Sequence, residues 1–191
     1  MTTWNKQIEN RNFLSPIGFK FTLAKFPKIA YFSQSANIPG ITNTQPEQST
    51  IYGRSLPMDG FMQFEDFQMT FLVDEDLENY NLVHNWMRAL GTPTSHKDRS
   101  AYIEFMQKKY NQPGLKEFDL ISADATLSVL NSNFNANFNV VFQGLFPTAL
   151  SALNFNATVD GSDSATATVT FRYLMYEIQN VTDNRRVTKL E

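Results

Sequence analysis

Apolar and polar side chains alternate over residues 63–73, where the apolar positions are Phe67, Met69, Phe71 and Val73. A period of two predicts a strand with one buried face. From residue 74 onward the apolar residues recur every three or four positions, which places them on one side of an α-helix. The predicted core face of this helix comprises Leu77, Tyr80, Val83, Trp86, Met87 and Leu90. We expect the rest of the chain to pack around this strand and helix.

Both ends of the predicted helix carry termination signals. The acidic residues at its start could supply a capping side chain and favourable charge at the positive end of the helix dipole: Asp74, Glu75, Asp76 and Glu78. Gly91 and Pro93 are expected to stop the helix. Clustered carboxylates can also bind a divalent cation, but one helical turn spreads them around its axis, so we interpret them as caps.

The N-terminal part of the chain predicts an arm, two strands and a long loop. Residues 1–17 hold few apolar side chains, and the alternation that starts at Gly18 predicts a strand that Pro27 ends. A second strand is expected over residues 29–36. Residues 41–56 show few apolar side chains and no clean period, which predicts a projecting loop; a short strand at residues 50–54 would make it a hairpin.

The C-terminal half is predicted to consist of strands. Residues 92–113 indicate a loop and a short element of ambiguous type at 101–110, and strands follow from residue 123. Strict alternation starts at Phe134, is interrupted by the GLFP segment at 144–147 and resumes over 154–159. Asp160 to Asp163 predict a hairpin turn, residues 165–178 the longest strand, and residues 179–191 a charged tail.

Composition is consistent with one mainly β domain, over residues 18–178. Seventeen Phe and seven Tyr among 191 residues favour a core of flat aromatic side chains, and no linker-like stretch divides the chain. A net charge of −3 gives no reason to expect electrostatic capture of nucleic acid or of an anionic membrane. The polar start and the lack of a long apolar run predict a soluble chain that does not enter a membrane.

The sequence shows no catalytic or metal-binding pattern. It contains no Cys, so thiolate chemistry and disulfides are excluded. Its two histidines, His84 and His96, lack the spacing of a metal pair, and no nucleophile motif or phosphate-binding glycine loop occurs. We therefore expect a protein that is not an enzyme and that needs no cofactor or metal.

Two rows of small polar residues give the predicted strands a nearly uncharged face. The rows include Asn135, Asn137, Thr166, Thr168 and Thr170. One interpretation is an ordinary solvent-facing sheet. The other is that these faces line a channel when several subunits join their sheets edge to edge.

The sequence resembles the tail tube protein family of contractile-tailed bacteriophages, which includes the baseplate proteins that initiate the tube. Three stretches carry the resemblance: SQSANIPG at 33–40, the strand and helix at 64–90 with the VDED junction, and GLFP at 144–147 followed by the closing strand at 166–176. The resemblance implies an antiparallel β-sandwich or open barrel with one flanking helix. It also implies hexameric rings that stack into a tube through which DNA and the tape-measure protein pass.

The resemblance implies particular contacts as well. The loop at 41–56 would touch the next ring through Ile41, Thr44, Pro46, Tyr52, Arg54 and Leu56, and the arm would do so through Trp4, Ile8 and Phe13. The polar rows would line the lumen. The implied partners are other copies of the chain, the sheath and the baseplate, in a phage virion assembled in the host cytoplasm.

Three alternatives stay open from the sequence. The long insert at 92–113 and the extended termini leave undecided whether the chain is the repeating tube subunit or a specialised ring at one end. The tube of a related secretion or injection machine is a second interpretation. A third, from another class, is a monomeric β-sandwich binding module that uses the 41–56 loop against a ligand.

Overall fold

The structure is a computed structural model and describes residues 13–14, 16–49, 51–92, 96–110, 121–155 and 164–181. Within these residues the helices are α1 (Pro27–Tyr31), α2 (Glu78–Gly91) and α3 (His96–Tyr110). The strands are β1 (Phe19–Leu23), β2 (Ser33–Ala36), β3 (Ile41–Asn43), β4 (Glu47–Ser49), β5 (Ser55–Pro57), β6 (Met62–Phe64), β7 (Phe67–Leu72), β8 (Ala123–Leu130), β9 (Ala136–Leu150), β10 (Thr166–Arg172) and β11 (Met175–Asn180). The predicted strand at 154–159, apart from its first two residues, and the predicted turn at 160–163 lie outside the described residues.

Seven strands form one curled antiparallel sheet in the order β1-β8-β9-β10-β7-β2, with β11 also paired to β9. The first half of β9 pairs with β8 and β11, and its second half pairs with β10. The end strands β1 and β2 do not pair with each other in the described part of the chain, so the sheet is not a closed barrel there. The predicted mainly β fold with antiparallel strands is confirmed.

Strand β9 is the longest of the described strands, with 15 residues, because the GLFP segment bends the chain without ending the strand. Gly144 has φ 63°, a left-handed conformation that glycine adopts without a steric penalty, and its N–H donates to Asp124 Oδ1 at 3.0 Å. Pro147 pairs with Phe171 where the register with β10 shifts. The predicted break at 144–147 is therefore wrong, because β9 continues through these residues. A bulge and a strand end have similar local sequences, so the sequence does not distinguish them.

The chain from 165 to 178, predicted as one strand, is divided in the structure. It leaves β10 after Arg172 and re-enters the sheet as β11 at Met175. Both parts lie along β9, and the N–H of Leu174 between them donates to the Gln143 carbonyl at 3.0 Å. Tyr173 thus lies at the junction of the two parts.

Aromatic rings from opposite halves of the curled sheet meet in the core. Phe67 of β7 lies 5.4 Å from Phe21 of β1 and 4.7 Å from Phe142 of β9, measured between ring centroids. Trp86 of α2 lies 6.1 Å from Phe171 and donates its indole N–H to the Ile121 carbonyl at 2.5 Å. The strong alternation of β7 and β10 reflects this one-sided burial.

The start of α2 differs from the predicted acidic cap. Leu77 is the N-cap residue, with φ 56°, and no side chain caps the helix there. The buried Asn79 holds the junction instead: its amide donates to the Leu72 carbonyl at 2.6 Å, and its Oδ1 accepts the N–H groups of Asp74 and Tyr80 at 3.2 and 2.8 Å. Capping by a side chain of the acidic group Asp74, Glu75, Asp76 and Glu78 is therefore wrong. At the other end Gly91 is the last helical residue, Thr92 is the C-cap, and Pro93 lies outside the described residues.

Two further helices were not predicted. Residues 29–31, expected at the start of the second strand, belong to α1, and Pro27 begins this helix rather than ending a strand. Pro is well suited to the first helical turn because that N–H has no helical partner. The ambiguous segment is α3, which starts at His96, so more than one helix flanks the sheet.

Candidate functional site

Residues 41–49 and 51–64 form a two-stranded ribbon that extends from the sheet. At its root β3 pairs with β6, and near its end β4 pairs with β5. Gly53, with φ 70°, lies in the turn at residues 51–53. The predicted projecting loop is thus a hairpin, but the strand expected at 50–54 is wrong, because the described residues at that point form the turn.

The middle of the ribbon carries a bulge. Two residues, Gln45 and Pro46, lie opposite the three residues 58–60. Thr44 locks the strands beside the bulge: its N–H donates to the Phe61 carbonyl at 2.9 Å, and its hydroxyl oxygen accepts the Phe61 N–H at 2.8 Å. These bonds keep the ribbon continuous across the irregularity.

The ribbon exposes large apolar side chains. At its tip Ile51 is 100% and Tyr52 96% exposed, and Phe61 near the bulge is 85% exposed. The other large apolar side chains exposed along it are Ile41, Leu56, Met58 and Met62. Each would lose contact with water if a partner covered the ribbon, which makes the ribbon a candidate interaction surface.

The predicted contact residues of the loop all lie on this ribbon. Ile41 is in β3, Leu56 in β5, Tyr52 in the turn and Arg54 directly after it, while Thr44 lies next to the bulge and Pro46 lies in it. Four exposed apolar residues were missed by the sequence reasoning: Ile51, Met58, Phe61 and Met62. Pro57 and Gly60 were a usable signal, since both are turn-forming residues that lie between the predicted loop at 41–56 and the strand predicted from residue 63.

Two tyrosines hold the root of the ribbon. The Tyr176 hydroxyl donates to the Pro39 carbonyl at 3.1 Å, and the Tyr173 hydroxyl donates to the Glu65 carbonyl at 2.8 Å. Burial raises the pKa of both phenols, and for Tyr173 the charges of Tyr176, Asp66 and Glu65 raise it further. Both hydroxyls therefore keep their protons and act as donors at neutral pH.

A second surface is the Thr face, formed by Thr70, Thr166, Thr168 and Thr170 on β7 and β10. Thr168 pairs with Thr70, and their hydroxyl oxygens lie 3.0 Å apart. The alternate residues of β10 are buried in the core, so these side chains point away from it. Within 67–72 and 166–171 there is no charged residue. The Thr face is therefore a polar strip that is uncharged as far as Thr170, and the next outward position on β10 is Arg172, which pairs with Asp66 at 2.9 Å.

The Asn row lies elsewhere on the sheet. Asn137 is exposed on the first half of β9, which pairs with β8, whereas Thr170 of the Thr face lies opposite Ala149 near the end of β9. Asn135 precedes β9, in a turn where Asn131 Oδ1 accepts its N–H at 3.0 Å. The two predicted rows are therefore not brought together in one subunit.

No group of three or more His, Cys, Asp or Glu side chains in the described part of the chain is arranged to hold a metal ion. None of the helices within the described ranges has the length and apolar character to cross a membrane.

Comparison with known protein families identifies the family of this chain. The family model described as phage tail tube protein matches residues 5–179, which is most of the chain. The chain belongs to the phage tail tube protein family. No curated protein sequence matches it.

Three solved structures with TM-scores above 0.5 share this fold. The tube-terminating cap of the anti-feeding prophage superposes with a TM-score of 0.58 at 18% identity, covering 94% of this chain and 99% of that chain. The PVC sheath-tube complex of an extracellular contractile injection system gives 0.59 at 19% identity, covering 94% and 100%. The PVC sheath/tube terminator gives 0.57 at 16% identity, covering 89% and 99%.

In this tail tube protein the predicted helix core is mostly inside the subunit. Val83 and Trp86 are fully buried, Tyr80, Met87 and Leu90 are half-buried, and Leu77 is exposed as the N-cap residue. Of the predicted arm contacts, Phe13 is 95% exposed, whereas Trp4 and Ile8 lie outside the described residues.

Proposed function

We propose that this tail tube protein forms hexameric rings that stack into the inner tube of a contractile tail. The observation that carries the proposal is the ribbon, whose tip presents Ile51 and Tyr52 almost fully to solvent. Membership of the tail tube family supports it, as does the likeness to the sheath-tube complex.

Burial of apolar side chains gives stacking on the ribbon an energetic basis. Burying one large apolar side chain contributes roughly 1.5–3 kcal/mol. A ring of six subunits would present six ribbons at once, and linked contacts reinforce each other without any new kind of interaction. Weak single contacts could therefore hold two rings firmly together. In the proposed arrangement Phe13 and the rest of the arm add further contacts between rings.

Within a ring, we propose that sheets of neighbouring subunits join edge to edge. Strands β1, β2 and β11 each have one side unpaired in the described part of the subunit. Such edges offer backbone N–H and C=O groups to a neighbouring chain, and joining them removes the exposed edge.

The lumen is proposed to be lined by the Thr face. A conduit for DNA must not retain it, and retention needs clustered Lys or Arg on phosphates. The Thr face itself carries no Lys or Arg, and Arg172 at its end is paired with Asp66, whereas the outward side of the other sheet half carries Lys20 and Glu177. This contrast favours the Thr face over the Asn row.

The proposed role is structural rather than enzymatic. The partners are other rings of the same chain, the sheath, the baseplate and the tape-measure protein, with double-stranded DNA in transit. The protein would act in the tail of a phage virion after assembly in the host cytoplasm. A specialised end ring, or the tube of an injection system, is the second candidate, favoured by the likeness to a tube-terminating cap.

The proposal is tested by light scattering and negative-stain microscopy over a range of concentrations. Stacked rings would support the repeating tube subunit. The Ile51→Ser/Tyr52→Ser variant is expected to retain rings and the stability of the subunit but to lose stacking, because both side chains are exposed in the subunit. Phe134→Ser is the matched control, since Phe134 is also exposed, at 69%, but lies off the ribbon.

The other outcomes separate the alternatives. Isolated rings of the unaltered protein that stack only on other tail components would indicate an end ring. A protein that stays monomeric and binds none of the tail components would overturn the proposal and favour a monomeric binding module.

A further inference from the structure

The ribbon joins the body of the subunit through two segments that are not strands. Residues 37–40 lead from β2 into β3, and Glu65 and Asp66 lead from β6 into β7. Between these two segments the Glu65 N–H donates to the Gly40 carbonyl at 3.0 Å. The pairing of β2 with β7 extends to Asn37, whose N–H donates to the Gln68 carbonyl at 3.2 Å, and pairing resumes at Gly40 and Ile41. The strands are interrupted between these points, so the sheet alone does not fix the direction of the ribbon.

The two tyrosine hydroxyls bind one root segment each. Tyr176 reaches the Pro39 carbonyl before β3, and Tyr173 reaches the Glu65 carbonyl after β6. A pair of bonds to the two legs of a ribbon resists rotation more effectively than two bonds to one leg. The two hydroxyls therefore act as a clamp across the root.

The clamp is anchored in the core. The Tyr173 and Tyr176 rings lie 5.1 and 5.8 Å from the ring of the fully buried Phe142. Phe64, the last residue of the ribbon, contacts both tyrosine rings at 5.9 and 5.6 Å. Rings at these separations attract each other, so the ribbon is tied to the packed interior.

Polar contacts on the other side of the root add to the clamp. Arg172 Nε lies 2.9 Å from Asp66 Oδ1, and Asn37 Oδ1 accepts the Gln68 N–H at 2.6 Å. The Arg172 side chain is two-thirds exposed, so its ion pair contributes more to geometry than to stability.

We propose that Tyr173 and Tyr176 are positioning residues that fix the angle between the ribbon and the subunit body, and that ring stacking depends on this angle. The stacking part rests on the proposed function. Neither tyrosine needs to touch the next ring, because both act through the ribbon.

A distance measurement on the subunit tests the clamp without reference to assembly. The chain has no cysteine, so spin labels can be placed at Gln48→Cys on the ribbon and Thr22→Cys on β1, which are exposed positions. Labelled chains are diluted with unlabelled ones. We expect the label-to-label distance distribution of Tyr173→Phe/Tyr176→Phe to be clearly broader than that of the unaltered protein.

The matched control is Tyr80→Phe. The Tyr80 hydroxyl donates to the Ser151 carbonyl at 3.2 Å, so this variant also removes a tyrosine-to-backbone bond, but away from the ribbon. We expect it to leave the distance distribution unchanged. Equal widths for the double variant and the unaltered protein, or equal broadening in Tyr80→Phe, would overturn the clamp.

Assembly is measured on the same variants. We expect Tyr173→Phe/Tyr176→Phe to form rings of normal mass whose stacking constant falls roughly fivefold or more for each hydroxyl removed, while Tyr80→Phe stacks normally. Normal stacking with a broadened distance distribution would overturn the link between angle and stacking. An unaltered protein that never stacks would overturn the proposed function, and the distance measurement would still decide the clamp.

Discussion

Gly60 lies close to the backbone of Thr44 on the opposite strand of the ribbon. A Cβ atom at this position would lie 1.7 Å from the Thr44 carbonyl oxygen, a backbone atom that cannot rotate away. The same Thr44 locks the ribbon to Phe61. The need for glycine here comes from close approach of the backbone, and the region next to the bulge must distort if a side chain is added.

We predict that Gly60→Ala loosens the ribbon. Amide exchange at Thr44 and Phe61 should become at least about tenfold faster, as expected for a forced steric clash. This corresponds to a loss of ~1.4 kcal/mol of local stability. Hydrogen exchange measured by NMR or mass spectrometry checks this. Gly91→Ala is the control, because a Cβ there meets no atom within 4 Å, and ribbon exchange should not change. Unchanged protection in Gly60→Ala would contradict the close approach.

Single residues also mark the limit of sequence reasoning. Asn79 was not singled out among the residues of the helix, although its amide makes three bonds at the junction with β7. The acidic residues before it carry a recognised capping signal and do not cap the helix. The local sequence shows which side chains are able to cap a helix. The left-handed conformation of Leu77 determines which of them can reach the free N–H groups at the helix start.

At the scale of elements, the junction between β7 and α2 depends on Asn79. We predict that Asn79→Ala lowers the free energy of unfolding by about 3 kcal/mol, because one carbonyl and two N–H groups lose their partner in a buried place. Urea denaturation followed by circular dichroism measures the loss. Asp76→Ala is the control and should stay within about 0.5 kcal/mol, since Asp76 is exposed. Similar losses in both variants would restore the acidic residues as caps.

Strands with one buried face were predicted well because burial itself produces the period of two. Strands β7, β8 and β10 alternate in burial, and each lies in a predicted strand. The short α1 and the bend in β9 were missed, since five residues cannot show a helical period and a bulge resembles a strand end in sequence. Whether the chain bends or forms a short helix at these places depends on the neighbouring strands, which come from distant parts of the sequence.

The predicted loop at 41–56 starts where β3 starts, but it ends before the return strand β6 of the ribbon. Its return strand β6 continues the alternation of β7, so the sequence predicts one strand over 63–73 where the structure has a break at Glu65 and Asp66. That break is stabilised by Tyr173 and Arg172, more than 100 residues later in the chain. Long-range contacts of this kind separate the ribbon from the sheet, and local periodicity contains no sign of them.

At the scale of the whole molecule, a change of charge can test which face lines the proposed lumen. The Thr face and Asn137 lie on different parts of the curled sheet, so a lysine placed on each reports on a different side of the subunit in a tube. Thr166 is the suitable position on the Thr face because it is exposed, whereas Thr168 is half-buried and contacts Thr70. Thr166→Lys and Asn137→Lys make the same change in net charge.

We predict that tubes assembled from Thr166→Lys in the presence of short double-stranded DNA retain that DNA and protect it from nuclease. Repeated rings of lysine would bind phosphates, and the retention should weaken steeply as salt displaces the released counterions. Asn137→Lys tubes should leave any bound DNA open to nuclease, because that side would face outward. Sedimentation of the tubes with labelled DNA, before and after nuclease treatment, measures both. Protection by Asn137→Lys but not by Thr166→Lys would place the Asn row in the lumen instead, and the ring would then have to present the first half of β9, with Lys20 and Glu177 beside it, to the passing DNA.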